Sequence, residues 1–141
     1  DYEILKRTQR FWTSDSNDAV ERMRIQSGFS YFLPPEVMGA HVGPIWCHTS
    51  GRGFHIDFRS LVASYGHMGV EADLRTMSPE DRAFVHEAIA RHKADRDIWH
   101  KGKFYRLRTV DDNLLGAAAV SEDLLSKPCA FKASTISPCE P

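Results

Sequence analysis

Strand, turn and helix follow one another three times between Arg10 and Trp99, and this alternation restricts the fold more than any other feature of the sequence. The first unit is the clearest. Arg10–Thr13 is short, apolar and aromatic, as a buried parallel strand can be. A polar turn follows, and Asp18-x-x-Glu21 has the acidic N-cap and third-position Glu of a capping box, so a helix is expected from Asp18 to about Tyr31. Its apolar positions Val20, Met23, Phe29 and Phe32 are interrupted by Arg22 and Arg24, and Pro34-Pro35 ends it. Val37–Val42 reads as the second strand, with Gly39 allowing close packing. Phe54, Phe58, Leu61, Val62 and Tyr65 then recur at helical spacing until Gly66. Val70–Leu74 is expected to be the third strand. Ser78-Pro79-Glu80-Asp81 opens the third helix with a Ser cap, a first-position Pro and acids in the first turn, and the pattern runs to about Trp99 before Gly102 closes it. Ahead of these units, Tyr2–Arg10 suits a short helix or turn. The fold class is α/β, in the βα alternation of a barrel.

From Lys103 the period changes. Phe104, Arg106 and Arg108 alternate with Tyr105 and Leu107, and Asp111-Asp112-Asn113 makes a turn before Leu114–Val120, a β-hairpin signal. Leu124–Pro141 is rich in Ser, Lys, Pro and Cys with little period, and is expected to be disordered. Of the 141 residues 42% are hydrophobic and 26% charged, which suits a folded segment. The net charge of −1, with scattered basic residues, gives no electrostatic footprint for nucleic acid. No apolar run reaches the roughly 18 residues a membrane span needs. Cys47, Cys129 and Cys139 lack CxxC spacing and read as free thiols of a reducing, cytoplasmic compartment.

Two constellations bear on chemistry. A polar turn between strand and helix puts Asp15 on the rim where α/β proteins keep their reactive groups, although Asp and Ser also crowd into such turns for backbone reasons. Ser14 and Ser16 flank it, either orienting it or bonding within the turn. Asp18 is the helix cap rather than a second reactive acid. The other constellation is His41, His48 and His55 with Cys47, which would make the chain a metal-binding or interaction module. Zinc sites commonly leave two to five residues between paired ligands, whereas these histidines are seven apart and divided between strand, loop and helix, so the spacing argues against a metal.

Several segments carry a resemblance. Trp12-Thr13-Ser14-Asp15-x-x-Asp18-Ala19-x-Glu21-Arg22 is followed by Ile25-Gln26-x-Gly28-x-Ser30 and Pro34-Pro35-x-x-Met38-Gly39-Ala40-His41-Val42-Gly43-Pro44. His48-Thr49-x-Gly51-Arg52 and Tyr65-Gly66-His67-Met68-Gly69-Val70-Glu71-x-Asp73-Leu74 complete the set. In one order and one spacing they resemble the family 36 glycoside hydrolases, the α-galactosidase family. The resemblance implies that residues 1–102 are the last three βα units of a (β/α)8 TIM-type barrel and 103–123 the first strands of a C-terminal β-sandwich. Beyond Ser121-Glu122-Asp123 it ceases, and 124–141 is expected to be a divergent tail arising from a frameshift or junction. The chain is thus read as a C-terminal-side fragment of a larger enzyme.

The implied activity is hydrolysis, with retention, of terminal α-linked galactose from oligosaccharides of the melibiose and raffinose type. It needs no metal or organic cofactor, and the parent is expected to be a homo-oligomer such as a tetramer. An α-N-acetylgalactosaminidase or a raffinose-type transglycosylase is the alternative within the family. Retaining glycosidases use two carboxyl groups about 5–5.5 Å apart, one attacking the anomeric carbon and one serving first as acid and then as base. The resemblance gives the second role to Asp15. The nucleophile belongs to a Lys-Trp-Asp type motif absent from this chain, so the chain alone is expected to be inactive. Trp12 either offers an apolar face to the sugar or packs at the strand end. His41, His48 and Arg52 lie in matching segments without an assignable role.

Overall fold

The computed structural model describes residues 2–108, 110, 114–121 and 130–135. A 3-10 helix over Tyr2–Lys6 leads into β1 (Phe11–Trp12), α1 (Ala19–Phe29), β2 (Met38–Val42), α2 (Ile56–Ala63), β3 (His67–Val70) and α3 (Pro79–Lys101). The three strands form a parallel sheet in the order β1-β2-β3, with Trp12 opposite Gly39 and His41 opposite Gly69. Three consecutive βα units are therefore present, as the alternation predicts. β2 is buried along its whole length. α2 packs on β2 between α1 and α3. Val42, Ala63 and Val85 form the core beneath this layer, while Ala19, Val20 and Phe54 join the start of α1 to the entry of α2. No helix is long and apolar enough to cross a membrane, among the described residues.

The starts of α1 and α3 agree with the sequence reading. Asp18 caps α1 by accepting from the Val20 and Glu21 N–H groups, and Ser78 caps α3 by accepting from Asp81 N–H. α2 covers Ile56–Ala63, two residues inside each end of the Phe54–Tyr65 spacing, and two further boundaries differ. α1 ends at Phe29, ahead of the prolines, because the chain tightens into turns in which Phe32 and Leu33 N–H both reach Phe29 O. The third strand is His67–Val70 rather than Val70–Leu74. Pairing with the buried β2 recruits residues of low strand preference, and Asp73 instead makes a turn, accepting from Arg75 N–H.

A second sheet follows. β4 (Lys103–Leu107) and β5 (Leu114–Val120) are antiparallel, as the hairpin signal predicts; Asp111-Asp112-Asn113 lie outside the described residues. β6 (Ala130–Thr135) pairs antiparallel with the other side of β5, from Ala119 opposite Ala130 to Leu114 opposite Thr135. The expectation of disorder over Leu124–Pro141 is corrected for these six residues: the second edge of β5 offers a full row of backbone partners that local composition does not reveal. The rest of that tail lies outside the described residues. Ile98 and Trp99 at the end of α3 pack with Ala117 and Ala119 of β5, and Tyr65 and Phe104 close over them.

Candidate active site

The C-terminal ends of the three parallel strands form a rim, and Asp15 stands on it, exposed, in the turn after β1. Trp12 Nε1–H donates to Asp15 Oδ1 at 2.7 Å. That bond fixes one carboxyl oxygen, and no other hydrogen bond from the described residues is seen at this carboxylate. Trp12 is 53% exposed, so it is not a core residue at the strand end. Its indole lies on β2, where a Cβ at Gly39 would come within 3.2 Å of Trp12 Cε3. Absence of a side chain at Gly39 is what lets the ring lie flat there.

Beside it, His41 projects from the buried β2. Its ring stacks on Trp12, with centroids 4.7 Å apart and planes 10° from parallel. His41 Nε2 is 2.9 Å from Asn17 Oδ1 and 2.9 Å from Glu71 Oε2, the carboxylate just past β3. Burial, and then the Arg22 charge, push the His41 pKa below its ordinary value against the opposing pull of Glu71 and Asp15. Arg22 is itself buried within α1. Its guanidinium donates to Ser14 O and, at 3.2 Å, to Gly39 O, tying helix, turn and strand together. Strand residues from Arg10 to Glu71 line a concavity of about 630 Å³ on this side of the sheet.

The helix cap is more elaborate than a capping box. Asp18 is fully buried, and its Oδ2 accepts from Ser50 Oγ and Arg52 Nε, both at 2.6 Å. Glu21 does not return to the Asp18 N–H; it accepts from Ser16 Oγ at 2.8 Å and faces Arg52 Nη2 at 3.8 Å. Burial alone would raise the Asp18 pKa, but the hydrogen bonds from Ser50, Glu21 N–H and Arg52, with the Arg52 charge, outweigh it and hold it below the usual carboxylate value. Arg52 thus has a position the sequence did not supply: it clamps the β2–α2 connection onto the start of α1.

The His/Cys constellation is not brought together. His41 faces Asn17 and Glu71, His48 is exposed on the loop, and His55 is the exposed N-cap residue of α2. Cys47 is a free, buried thiol against Thr49 Oγ1. Burial would raise its pKa, but hydrogen bonds from the Thr49 and Ser50 side chains and backbone bring it down to about 7. Among the described residues no group of three or more His, Cys, Asp or Glu is placed to hold a metal ion. Asn17, Arg22 and Glu71 are residues of the rim that the sequence reading passed over. Asn17 and Arg22 had a signal, since both fall within the same strand–turn–helix stretch as Asp15; Glu71 had only its place in the resembling segment from Tyr65 to Leu74.

Comparison with known proteins gives the class to which these parallel βα units belong, the glycoside hydrolases. A family model described as Melibiase matches residues 1–102, and the chain belongs to that family, family 36 of the glycoside hydrolases. It is 44% identical over 123 residues to an α-galactosidase of Escherichia coli, covering 87% of this chain and 17% of that protein. It is 35% identical over 106 residues to α-galactosidase Mel36A of Lactobacillus acidophilus, covering 75% and 14%. The α-galactosidase AgaA of Geobacillus stearothermophilus superposes with a TM-score of 0.82 at 34% identity, over 87% of this chain and 17% of that one. A variant of AgaA has been solved in complex with raffinose. The chain spans less than a fifth of the length of the curated relatives it matches.

Proposed function

We propose that this chain is the part of a retaining α-galactosidase that carries the general acid/base, Asp15, with the nucleophile supplied from elsewhere in the parent enzyme. The three βα units are then the last of a TIM-type barrel, and β4–β6 begin a β-sandwich. The observation that carries the reading is the Asp15 carboxyl itself: exposed at the strand ends, with one oxygen held by the Trp12 indole and no further hydrogen bond to it among the described residues. The half-exposed Trp12 ring offers its outer face to the sugar. The substrates are terminal α-galactosides of the melibiose and raffinose type, in keeping with the raffinose complex of the related AgaA variant.

In this role the carboxyl gives its proton to the departing oxygen while the nucleophile attacks. Once the nucleophile is esterified, its charge is gone, and the ionised Asp15 takes a proton from the incoming water. Asp15→Ala in the full-length enzyme removes the proton donor and leaves the nucleophile. Turnover of melibiose is expected to fall by about 10²–10⁴-fold, while the first step on aryl galactosides with acidic leaving groups is much less affected. Added azide needs no general base, and it is expected to restore turnover and yield α-galactosyl azide. A β-configured azide would make Asp15 the nucleophile and overturn the assignment.

A further inference from the structure

Trp12 has little to hold it. It sits on a two-residue edge strand, is half exposed, and yet presents its N–H to Asp15 Oδ1 at 2.7 Å. What supports the ring from below is His41, and His41 is fixed in a way a packing residue need not be. Its side chain is 2% exposed, and its Nε2 faces two oxygen acceptors at once, Asn17 Oδ1 from the turn after β1 and Glu71 Oε2 from the end of β3. Two acceptors at Nε2 place the proton there, since an unprotonated Nε2 would meet two oxygens with a lone pair. Nδ1 is then the bare nitrogen, and it is buried with no hydrogen-bond partner among the described residues. A second proton at Nδ1 would find no acceptor, and the neighbouring Arg22 opposes it while Asp15 and Glu71 favour it. The imidazole is therefore a neutral, flat, two-point-tethered plate under the indole.

We propose that His41 is a positioning residue for the acid/base step: tethered to Asn17 and Glu71 and stacked beneath Trp12, it sets the plane of the indole whose N–H holds Asp15 Oδ1, and so fixes which carboxyl oxygen meets the leaving group. The proposal rests on Asp15 being the acid/base. The geometry carries it from strand to strand. β2 supplies the plate, the β1 turn and the β3 end supply its tethers, and β1 supplies the ring that transmits its orientation. Gly43 is part of the same arrangement, because a Cβ there would lie 2.7 Å from Asn17 Oδ1 and push that tether away.

The test uses the full-length enzyme and two substrates, melibiose and a dinitrophenyl α-galactoside whose leaving group needs no proton. His41→Ala and Trp12→Phe are each expected to lower kcat/KM for melibiose by about 10- to 100-fold, the scale of a misplaced catalytic group, and to lower it for the aryl substrate by no more than about threefold. Because His41 acts through Trp12, the double variant is expected to be no worse on melibiose than the poorer single one. His41→Gln keeps an N–H donor but loses the stacked ring. It is expected to show the same leaving-group dependence, and it decides the matter where His41→Ala does not fold. Equal losses on both substrates would mean a structural role only, and multiplying losses in the double variant would mean that His41 does not work through Trp12; either overturns the proposal. Failure of the underlying reading appears separately, in the stereochemistry of the azide product from Asp15→Ala.

Discussion

A buried aspartate and a buried histidine set how the rim responds to acid. Asp18 has its pKa held down by Ser50, Glu21 N–H and Arg52, so the stability it lends is present above the ordinary carboxylate value and is lost as pH falls through its own lower one. His41 also has a lowered pKa. The unfolded chain takes up that proton near 6.5, the folded chain only at lower pH, so stability rises with pH between the two and declines as pH falls below about 6.5. His67, lowered chiefly by burial and by Arg10, adds to the loss in the same window. The thermal midpoint of the full-length enzyme is therefore expected to fall between about pH 7.5 and pH 5, and His41→Gln to narrow that difference. Equal differences in parent and variant would remove His41 from the account. Asp18→Ala removes the buried acceptor of Ser50 Oγ, Arg52 Nε and two helix N–H groups and is expected to cost about 2 kcal/mol, seen as a lower midpoint at pH 7; Asp18→Asn, still a good cap, is expected to lose less.

Among the elements, α1 explains why its sequence pattern looked mixed. The buried face includes Arg22 and Gln26, whose side chains satisfy Gly39 O and Val62 O at 3.2 and 2.8 Å. A helix that spends two buried positions on backbone carbonyls of its neighbours cannot show a clean apolar stripe, so hydrophobic spacing under-reports it. Capping is different. Asp18 and Ser78 act on N–H groups two or three residues away, and such local contacts are legible because the partners are adjacent in the chain. The rim position of Asp15 was legible from the local strand–turn–helix pattern, while the role proposed for it rests on the family resemblance. The bounds of β3, the existence of β6 and the partners of His41 were not legible, since each is decided by a segment distant in sequence: β2 for β3, β5 for β6, Asn17 and Glu71 for His41. At element scale Gly43→Ala is the direct probe. Its Cβ displaces Asn17, so a fall in melibiose turnover with little change for the aryl substrate is expected.

For the molecule as a whole, the parallel sheet has only three strands and both outer ones, β1 and β3, leave one side unpaired among the described residues. Unpaired edges template further strands. The 141-residue chain expressed alone is expected to self-associate, visible as light scattering at concentrations where the full-length enzyme stays clear, and to lack α-galactosidase activity. A clear, monodisperse solution of the short chain would show that its open edges do not drive association.

The contact between α3 and the second sheet has a consequence in time. Trp99 is 1% exposed because Ala117 and Ala119 cover it, yet those residues come some 20 positions later in the chain. At roughly 5–20 residues per second of synthesis, the indole waits about 1–4 s for its cover. Between the emergence of Trp99 from the ribosome and that of Ala117 and Ala119, the nascent chain thus offers Trp99, with Tyr65 beside it, to any chaperone that binds aromatic surface.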